Sequence, residues 1–365
     1  MKYILVTKKA TSKEGNFTYY PNEVIIARNN ISQNKWYKII TDKELLAFYY
    51  DKTDEKCNNI LIIVGGGIGD IMAYSALCKY LNEKGKEVHF VTQKKYFDVL
   101  KWFQTPVEIL DVEKPIFRDF SLSNRISKYN KWRRIFTELI IPKHNESDWF
   151  EVIFAYAGIE KIEDSYFRPQ LKTNRLTRKK SNIDKKQRSL LICNQSSCMM
   201  RNIEFYEIFK ALPDEVKAEY KIYAYKNNIS AKDDELVRRS TLFDEVKFIS
   251  SPTLSDFLND LYDATDVITV DSAAVHFREG IGKRCLALYN SFDKDCRTKY
   301  YKYITAVNIK SECDKQPCFK HELQKGDLCE KVKEWQYSAP CFRNETNKFL
   351  QSELKRIFNE YFKNK

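Results

Sequence analysis

The 365-residue chain is long enough to bury a substantial core, and its length favours two domains over one. Hydrophobic residues make up 43% and charged residues 31%, a composition that excludes a low-complexity disordered protein. The formal charge of +12 favours anionic partners such as phosphates, acidic glycans, nucleic acid or an anionic membrane surface, although a lysine-rich solvated surface explains it equally well.

The N-terminal residues 1–55 are predicted to form a small α+β appendage. KYILVT at 2–7 and EVIIARN at 23–29 have the pattern of short strands, and TDKELLAFYYDK at 41–52 has that of a helix. We find no residues in this segment that indicate a chemistry.

Residues 56–180 are predicted to form a Rossmann-like domain. A continuous apolar strand at 59–66 ends in glycines and leads directly into a helix that stops near Gly85, and EVHFVTQ and VEILDV follow as strands. Further helices are expected around KWRRIFTELI at 131–140 and DWFEVIFAYAG at 148–158. The basic stretch at 171–189 has few apolar residues, so we expect a linker there.

Residues 185–345 repeat the alternation of strand and helix and predict a second Rossmann-like domain. Expected strands lie at 189–195, 221–226, 246–250, 266–271 and 284–290, with helices at 202–212, 231–241, 253–264 and 273–282. Residues 346–365 are predicted to be an amphipathic helix with Phe349, Leu350, Leu354, Ile357 and Phe358 on one face.

The turn GGGIGD at 65–70 lets the backbone approach a ligand, and the helix that follows favours anions at its N-terminus. The turn is neither a P-loop nor a dinucleotide fingerprint, because Asp70 stands where those motifs carry other residues. A carboxylate suits proton abstraction from a hydroxyl, and it equally suits capping of the helix.

A second motif, DSAAVHF at 271–277, follows a buried strand. Asp271 is expected to cap the next helix, while the Ser272 hydroxyl and free backbone amides receive a phosphate and His276 faces the same mouth. A capped helix with a packed histidine explains the pattern as well.

Together these segments resemble glycosyltransferase family 9, the ADP-heptose:lipopolysaccharide heptosyltransferases. The resemblance rests on GGIGD at 66–70, VDSAAVHFREGIGK at 270–283 and, more weakly, NQSSCMMRNIEFYEIFKAL at 194–212. It implies a GT-B fold of two facing Rossmann-like domains and an inverting, metal-independent transfer, with no catalytic cofactor.

The resemblance also implies roles for individual residues. Asp70 takes the position of the general base, and Gly66, Gly67 and Gly69 form the acceptor-side loop. The donor-binding residues are then Arg201, Ser196, Ser197, Asp271, Ser272, Ala273 and His276. The chain departs from the family pattern at Ala76, Ala273, Arg284, Tyr289 and Asn290. These residues make the phosphate-contacting turn bulkier and leave the identity of the donor open.

Four cysteines cluster near the C-terminus, at Cys313, Cys318, Cys329 and Cys341. Their spacing is looser than that of ordinary zinc knuckles, so a structural zinc site, disulfides and unlinked thiols all remain open. A D-x-D triplet at Asp293–Asp295 lies in a lysine-rich loop, and we interpret it as a chance match.

We therefore expect a cytoplasmic glycosyltransferase, because no apolar run approaches the ~18 residues of a membrane span and the N-terminus lacks a signal peptide. Its donor would be a nucleotide sugar, and its acceptor an anionic hydroxyl compound, either a glycan or lipid-linked glycan or a modified nucleic-acid base. The basic segments 128–134 and 175–188 are compatible with either acceptor. The alternative is a non-catalytic nucleotide or nucleic-acid binding protein on the same scaffold.

Overall fold

The computed structural model describes residues 58–64, 67–111, 133–136, 147–159, 161–174, 181–226, 245–318, 329, 338–343 and 347–363, and five short strands between residues 2 and 40. The helices expected at 41–52 and 231–241, the basic residues 175–180 and Gly66 lie outside the described residues.

The five N-terminal strands form two small antiparallel sheets. They are β1 Lys2–Val6, β2 Ala10–Thr11, β3 Thr18–Tyr19, β4 Val24–Ala27 and β5 Tyr37–Ile40. Strand β1 lies between β4 and β5, and β2 pairs with β3. The two strands expected from the sequence are therefore neighbours in one sheet.

The first parallel sheet has four strands in the order β8-β7-β6-β9. Its strands are β6 Asn59–Ile63, β7 Glu87–Thr92, β8 Glu108–Asp111 and β9 Arg133–Phe136, and its helices are α1 Ile68–Glu83, α2 Phe97–Leu100 and α3 Trp149–Tyr156. Strand β6 is almost fully buried because it lies inside the sheet, which explains its unbroken apolar sequence. Helix α1 ends at Glu83, and Gly85 follows two residues later with a φ of +74°, a left-handed value that is readily adopted only by glycine.

The second parallel sheet has six strands in the order β12-β11-β10-β13-β14-β15. Its strands are β10 Ser189–Cys193, β11 Lys221–Tyr225, β12 Val246–Ile249, β13 Asp266–Val270, β14 Cys285–Tyr289 and β15 Ile304–Asn308. Its helices are α4 Phe205–Ala211, α5 Asp214–Glu219, α6 Leu254–Asp263, α7 Ala273–Gly280 and α8 Asp295–Thr298. This is the strand order of a doubly wound Rossmann sheet, and the first sheet repeats its first four positions.

The C-terminal helix α9 Leu350–Lys363 packs against α4, so it closes the second sheet rather than extending from it. Helices α1 and α7, one from each sheet, also pack against each other. Near them the ring of Trp102 meets that of Phe277 edge to face, with centroids 4.9 Å apart. The hydrophobic core is therefore continuous between the two sheets.

Two expectations from the sequence were wrong, and a third segment packs more closely than expected. Residues 133–136, expected to be helical, form β9 and pair in parallel with β6, burying Ile135. Phe349 is 48% exposed, because α9 begins one residue later. The expected linker is anchored where it is described, since Ile183 is buried and Asn182 donates to both carboxylate oxygens of Asp260 at 2.8 and 3.0 Å.

Among the helices that the structure describes, none combines the length and apolar character needed to cross a membrane.

Candidate active site

The candidate site lies at the carboxyl ends of the central strands of both sheets. In a doubly wound sheet, ligands bind where the strand order reverses, which here is beside β6 in the first sheet and between β10 and β13 in the second. The segments that follow these three strands carry Asp70, Arg201 and Asp271. Since α1 and α7 pack together, the loops of the two sheets meet.

Asp70 occupies the third residue of α1, where its Oδ2 accepts a hydrogen bond from the Gly67 amide. The capping role considered for this carboxylate is therefore present. Burial raises the pKa of Asp70 above its ordinary value, whereas the Gly67 amide and the charges of Arg297 and Arg201 oppose the rise. A carboxylate with a raised pKa is a better base near neutral pH than an ordinary aspartate.

Arg201 and Asp271 form an ion pair across the second sheet's crevice, with Nη1 of the arginine 3.2 Å from Oδ2 of the aspartate. The same guanidinium donates to the Ser197 hydroxyl at 3.4 Å. Burial alone would raise the pKa of Asp271, but Arg201 and then Arg297 hold it below its ordinary value. Asp271 is thus ionised and paired rather than a helix cap, contrary to the expectation from the sequence.

The cap of α7 is Ser272, whose hydroxyl oxygen accepts from the Ala274 amide at 3.2 Å. The same hydroxyl lies 2.9 Å from that of Thr269. Ser272 therefore shapes the N-terminus of α7, and Ala273 is the first residue of the helix. A helix N-terminus at this position favours an anion.

His276 projects from the first turn of α7 toward the start of α1. A β-carbon placed on Gly69 would lie 2.8 Å from Cδ2 of its ring, so this close approach requires glycine. On the other side, Nδ1 lies 2.6 Å from the Tyr301 hydroxyl oxygen. Burial lowers the pKa of His276 to about 4, Arg297 and Arg201 add to the fall, and Asp271 opposes it, so the ring is neutral at pH 7.

Two residues that the sequence did not single out complete the site. Arg297 of α8 is 4% exposed, and its guanidinium lies over the rings of Trp149 and Phe292, 4.2 and 4.9 Å from their centroids. Its charge acts on Asp70, Asp271 and His276. Tyr301 follows α8 and holds His276. Both lie in the lysine-rich segment at 293–302, whose residue pattern carries no signal of a site.

We call Asp70, Arg201, Asp271, His276 and Arg297 the site cluster. Two arginines and one low-pKa aspartate leave a surplus of positive charge beside Asp70. Ser196 makes its described hydrogen bonds within its own loop, where it donates to the Cys198 carbonyl at 2.9 Å. Gly67 and Gly69 lie at the entry to α1, whereas Gly66 is outside the described residues.

Two of the departures from the family pattern, Arg284 and Asn290, make contacts outside the site cluster. The Arg284 side chain turns toward the C-terminal helix, with its guanidinium 5.3 Å from the centroid of the Tyr361 ring. Asn290 donates to the Met200 carbonyl at 2.8 Å, which ties the end of β14 to the loop that carries Arg201.

The four clustered cysteines line one cavity of about 100 Å³ together with Asn290 and Gln316. We call it the cysteine cavity. Burial raises the pKa of Cys341 to about 12, and the other three cysteines add to the rise. The described cysteines form no disulfide, and among the described residues no three His, Cys, Asp or Glu side chains are already placed to hold a metal.

Neither a protein-family model nor a curated protein matches this sequence. Among solved structures, the glycosyl transferase family 9 protein from Veillonella parvula DSM 2008 matches with a TM-score of 0.52 at 11% identity, over 69% of this chain and 86% of that chain. The iron-containing dodecameric glycosyltransferase TibC from enterotoxigenic E. coli H10407 matches with a TM-score of 0.57 at 10% identity, over 99% of this chain and 92% of that chain. The structure of TibC in complex with ADP-D-beta-D-heptose matches with a TM-score of 0.56 at 10% identity, over 99% of this chain and 93% of that chain. At these identities the likeness concerns the fold, and the chain has the GT-B fold of family 9 glycosyltransferases.

Proposed function

We propose that this protein is a glycosyltransferase that moves a sugar from a nucleotide-sugar donor to a hydroxyl group of an anionic acceptor. The observation that carries the proposal is the meeting of Asp70, from the first sheet, with Arg201 and Asp271, from the second. A base and a cation supplied by opposite sides of one crevice suit a transfer between two bound substrates. Residues 56–180 would hold the acceptor and residues 185–345 the donor.

In the proposed reaction, the acceptor hydroxyl oxygen attacks the anomeric carbon of the donor sugar. The bond from that carbon to the diphosphate oxygen breaks, and Asp70 takes the hydroxyl proton. Attack from the face opposite the leaving group inverts the anomeric configuration. The nucleoside diphosphate leaves with an added negative charge, which Arg201, Arg297 and the N-terminus of α7 would stabilise without a catalytic metal.

The donor of the TibC complex, ADP-D-beta-D-heptose, is the first candidate to test here. The acceptor is proposed as an anionic glycan or lipid-linked glycan, on the strength of the +12 charge. We place the reaction in the cytoplasm, where the chain's ten cysteines would stay reduced.

The test measures turnover and donor binding on the same variants. We expect Asp70→Asn to lower nucleotide-sugar turnover by about 10²- to 10⁴-fold while retaining donor-dependent thermal stabilisation, since a base acts in the chemical step. Asp98→Asn is the matched control, because Asp98 is a partly exposed carboxylate paired with Lys101. Donor binding without turnover in the unmodified protein would instead favour a non-catalytic nucleotide-binding protein.

We also propose that the cysteine cavity holds a structural metal. Four thiols are a donor set that suits zinc or iron, and TibC is described as iron-containing. The thiols would have to converge to bind it, and no catalytic step passes through it. Elemental analysis of the purified protein should find about one zinc or iron per chain, reduced in Cys313→Ser and Cys341→Ser but unchanged in the buried-core control Cys78→Ser. Equal metal in all of these proteins would overturn this assignment.

A further inference from the structure

Tyr301 and His276 share a short hydrogen bond at the edge of the site cluster. The Tyr301 hydroxyl oxygen is 2.6 Å from Nδ1, and the two rings meet edge to face with centroids 5.9 Å apart. Burial keeps the pKa of Tyr301 well above its ordinary value, so the hydroxyl retains its proton and is able to donate.

The direction of this hydrogen bond follows from a count of donors and acceptors. A neutral imidazole has one N–H and one bare nitrogen. If Nδ1 carried the proton, the Tyr301 O–H would need another acceptor, and the described residues provide none. A bare Nδ1 that accepts from the Tyr301 hydroxyl leaves neither of these two atoms without a partner, and this arrangement places the proton of His276 on Nε2.

The charged groups around the ring keep it neutral. Arg201 and Arg297 disfavour the imidazolium, and Asp271, which favours it, is already paired with Arg201 at 3.2 Å. Burial acts in the same direction as the arginines, since the ring is 7% exposed.

The Nε2 atom points to the entry of α1. It lies 3.3 Å from the position that a β-carbon on Gly69 would occupy, one residue before Asp70. The described residues make no hydrogen bond to Nε2. An N–H donor at Nε2 would thus lie beside the entry of α1, next to the residue that precedes the proposed base.

We propose that Tyr301 is a positioning residue that holds His276 as the Nε2–H tautomer, so that Nε2–H donates a hydrogen bond to a diphosphate oxygen of the donor. A neutral, fixed donor at this point orients the diphosphate without adding a third positive charge beside Asp70. The tautomer is a property of the protein alone, whereas the hydrogen bond to the diphosphate rests on the proposed function.

The tautomer is tested first, without any substrate. The chain has four histidines, so selective ¹⁵N-histidine labelling gives few signals, and the His276→Gln spectrum assigns the one in question. Long-range ¹H–¹⁵N spectra of the unmodified protein should show a neutral ring with a protonated Nε2 from pH 6 to 8. A protonated Nδ1, a doubly protonated ring or an even mixture of tautomers would overturn the proposal whether or not any variant folds.

The variant Tyr301→Phe then tests the cause. It keeps the aromatic ring and removes the hydroxyl, so we expect the His276 signals to shift toward a mixture of tautomers. Tyr300→Phe is the matched control, because its hydroxyl binds Glu151 rather than His276, and it should keep the Nε2–H signal. An unchanged tautomer in Tyr301→Phe would show that the hydroxyl does not determine it.

The diphosphate contact is tested by binding. For ADP, we expect Tyr301→Phe and His276→Gln each to raise Kd by about three- to tenfold, the usual effect of one hydrogen bond, with little change for Tyr300→Phe. Unchanged ADP affinity in both site variants, alongside the expected tautomer shift, would exclude the contact and retain the positioning role. If the unmodified protein binds no nucleoside diphosphate, the proposed function fails, and the tautomer result stands on its own.

Discussion

Nη1 of Arg201 lies 3.2 Å from Oδ2 of Asp271, so the loops that follow the neighbouring strands β10 and β13 are joined by an ion pair at the mouth of the crevice. The aspartate is nearly buried, with a side chain 4% exposed, whereas the arginine is 18% exposed and reachable by a ligand. A bound diphosphate would therefore contact the Arg201 guanidinium, which the ion pair with Asp271 already holds in place.

Arg201→Ala should lower the free energy of unfolding at pH 7 by about 3 kcal/mol, because it leaves the buried Asp271 charge with less compensation. The pKa of Asp271 lies below its ordinary value in the folded protein, so its stabilising contribution is present above the unfolded pKa near 3.8 and is lost as the pH falls through the folded pKa. The effect of the variant should therefore be smaller at pH 3, below that unfolded pKa, than at pH 7. Chemical denaturation at both pH values measures this.

Arg188→Ala is the control for this experiment, because Arg188 pairs with Glu219 on the surface and both side chains are about half exposed. Arg188→Ala should lower the free energy of unfolding by about 0–1 kcal/mol. Equal losses for the two arginine variants would show that the Arg201–Asp271 pair behaves as an ordinary surface pair.

Gly69→Ala should weaken nucleotide binding, because the new β-carbon would lie 2.8 Å from Cδ2 of His276 and displace the ring. The clash should lower the free energy of unfolding by about 1–3 kcal/mol, and the higher helix propensity of alanine should offset about 1 kcal/mol of that loss. Gly67→Ala is the comparison, since its β-carbon would meet only Oδ2 of Asp70 at an ordinary 3.7 Å. Thermal shift with and without ADP should show a loss of ADP stabilisation in the Gly69 variant alone, and equal behaviour of the two would refute the close contact.

Asp148→Asn should stabilise the protein above pH 7. Burial raises the pKa of Asp148 to about 7, so the folded state binds this proton more tightly than the unfolded state, and stability falls as the pH rises from about 4 through 7. Asparagine keeps the N-cap of α3, where Asp148 now accepts from the Phe150 amide at 2.8 Å. We expect a gain of the order of 2 kcal/mol at pH 8 and little at pH 4, measured by denaturation.

The control for Asp148 is Asp214→Asn, because the Asp214 side chain is 97% exposed and its stability effect should not vary in this way with pH. A gain from Asp148→Asn that is equal at pH 4 and pH 8 would contradict the raised pKa as its cause.

Phe358→Ala should lower the free energy of unfolding by about 3–5 kcal/mol, because the ring is fully buried between α9 and the second sheet. Phe349→Ala, only a few residues earlier, should change stability by less than about 0.5 kcal/mol, since that ring is 48% exposed. Urea denaturation of the two variants separates these outcomes, and a comparable loss in both would place Phe349 in the core after all.

Local sequence was informative wherever burial imposes a pattern. The apolar runs at Asn59–Ile63 and Asp266–Val270 indicated central parallel strands, because a strand covered on both faces has few polar positions. The same reasoning failed for Arg133–Phe136, because two arginines interrupt the apolar pattern of this strand. Ile135 is the residue of the strand that the structure describes as buried. Pairing with β6, which lies about 70 residues earlier in the chain, decides that segment.

Local sequence patterns are enough to predict the two Rossmann-like alternations and the positions of Asp70, Asp271 and His276 after strands, because strand ends and turn residues are local features. Only the tertiary structure brought Arg297 and Tyr301 to the same place. Both lie in a lysine-rich segment whose composition indicates a solvated surface, and the packing of α3 and α7 against that segment buries them beside the site. Their pKa environments and hydrogen bonds depend on distances between residues far apart in the chain, and no spacing along one segment encodes such distances.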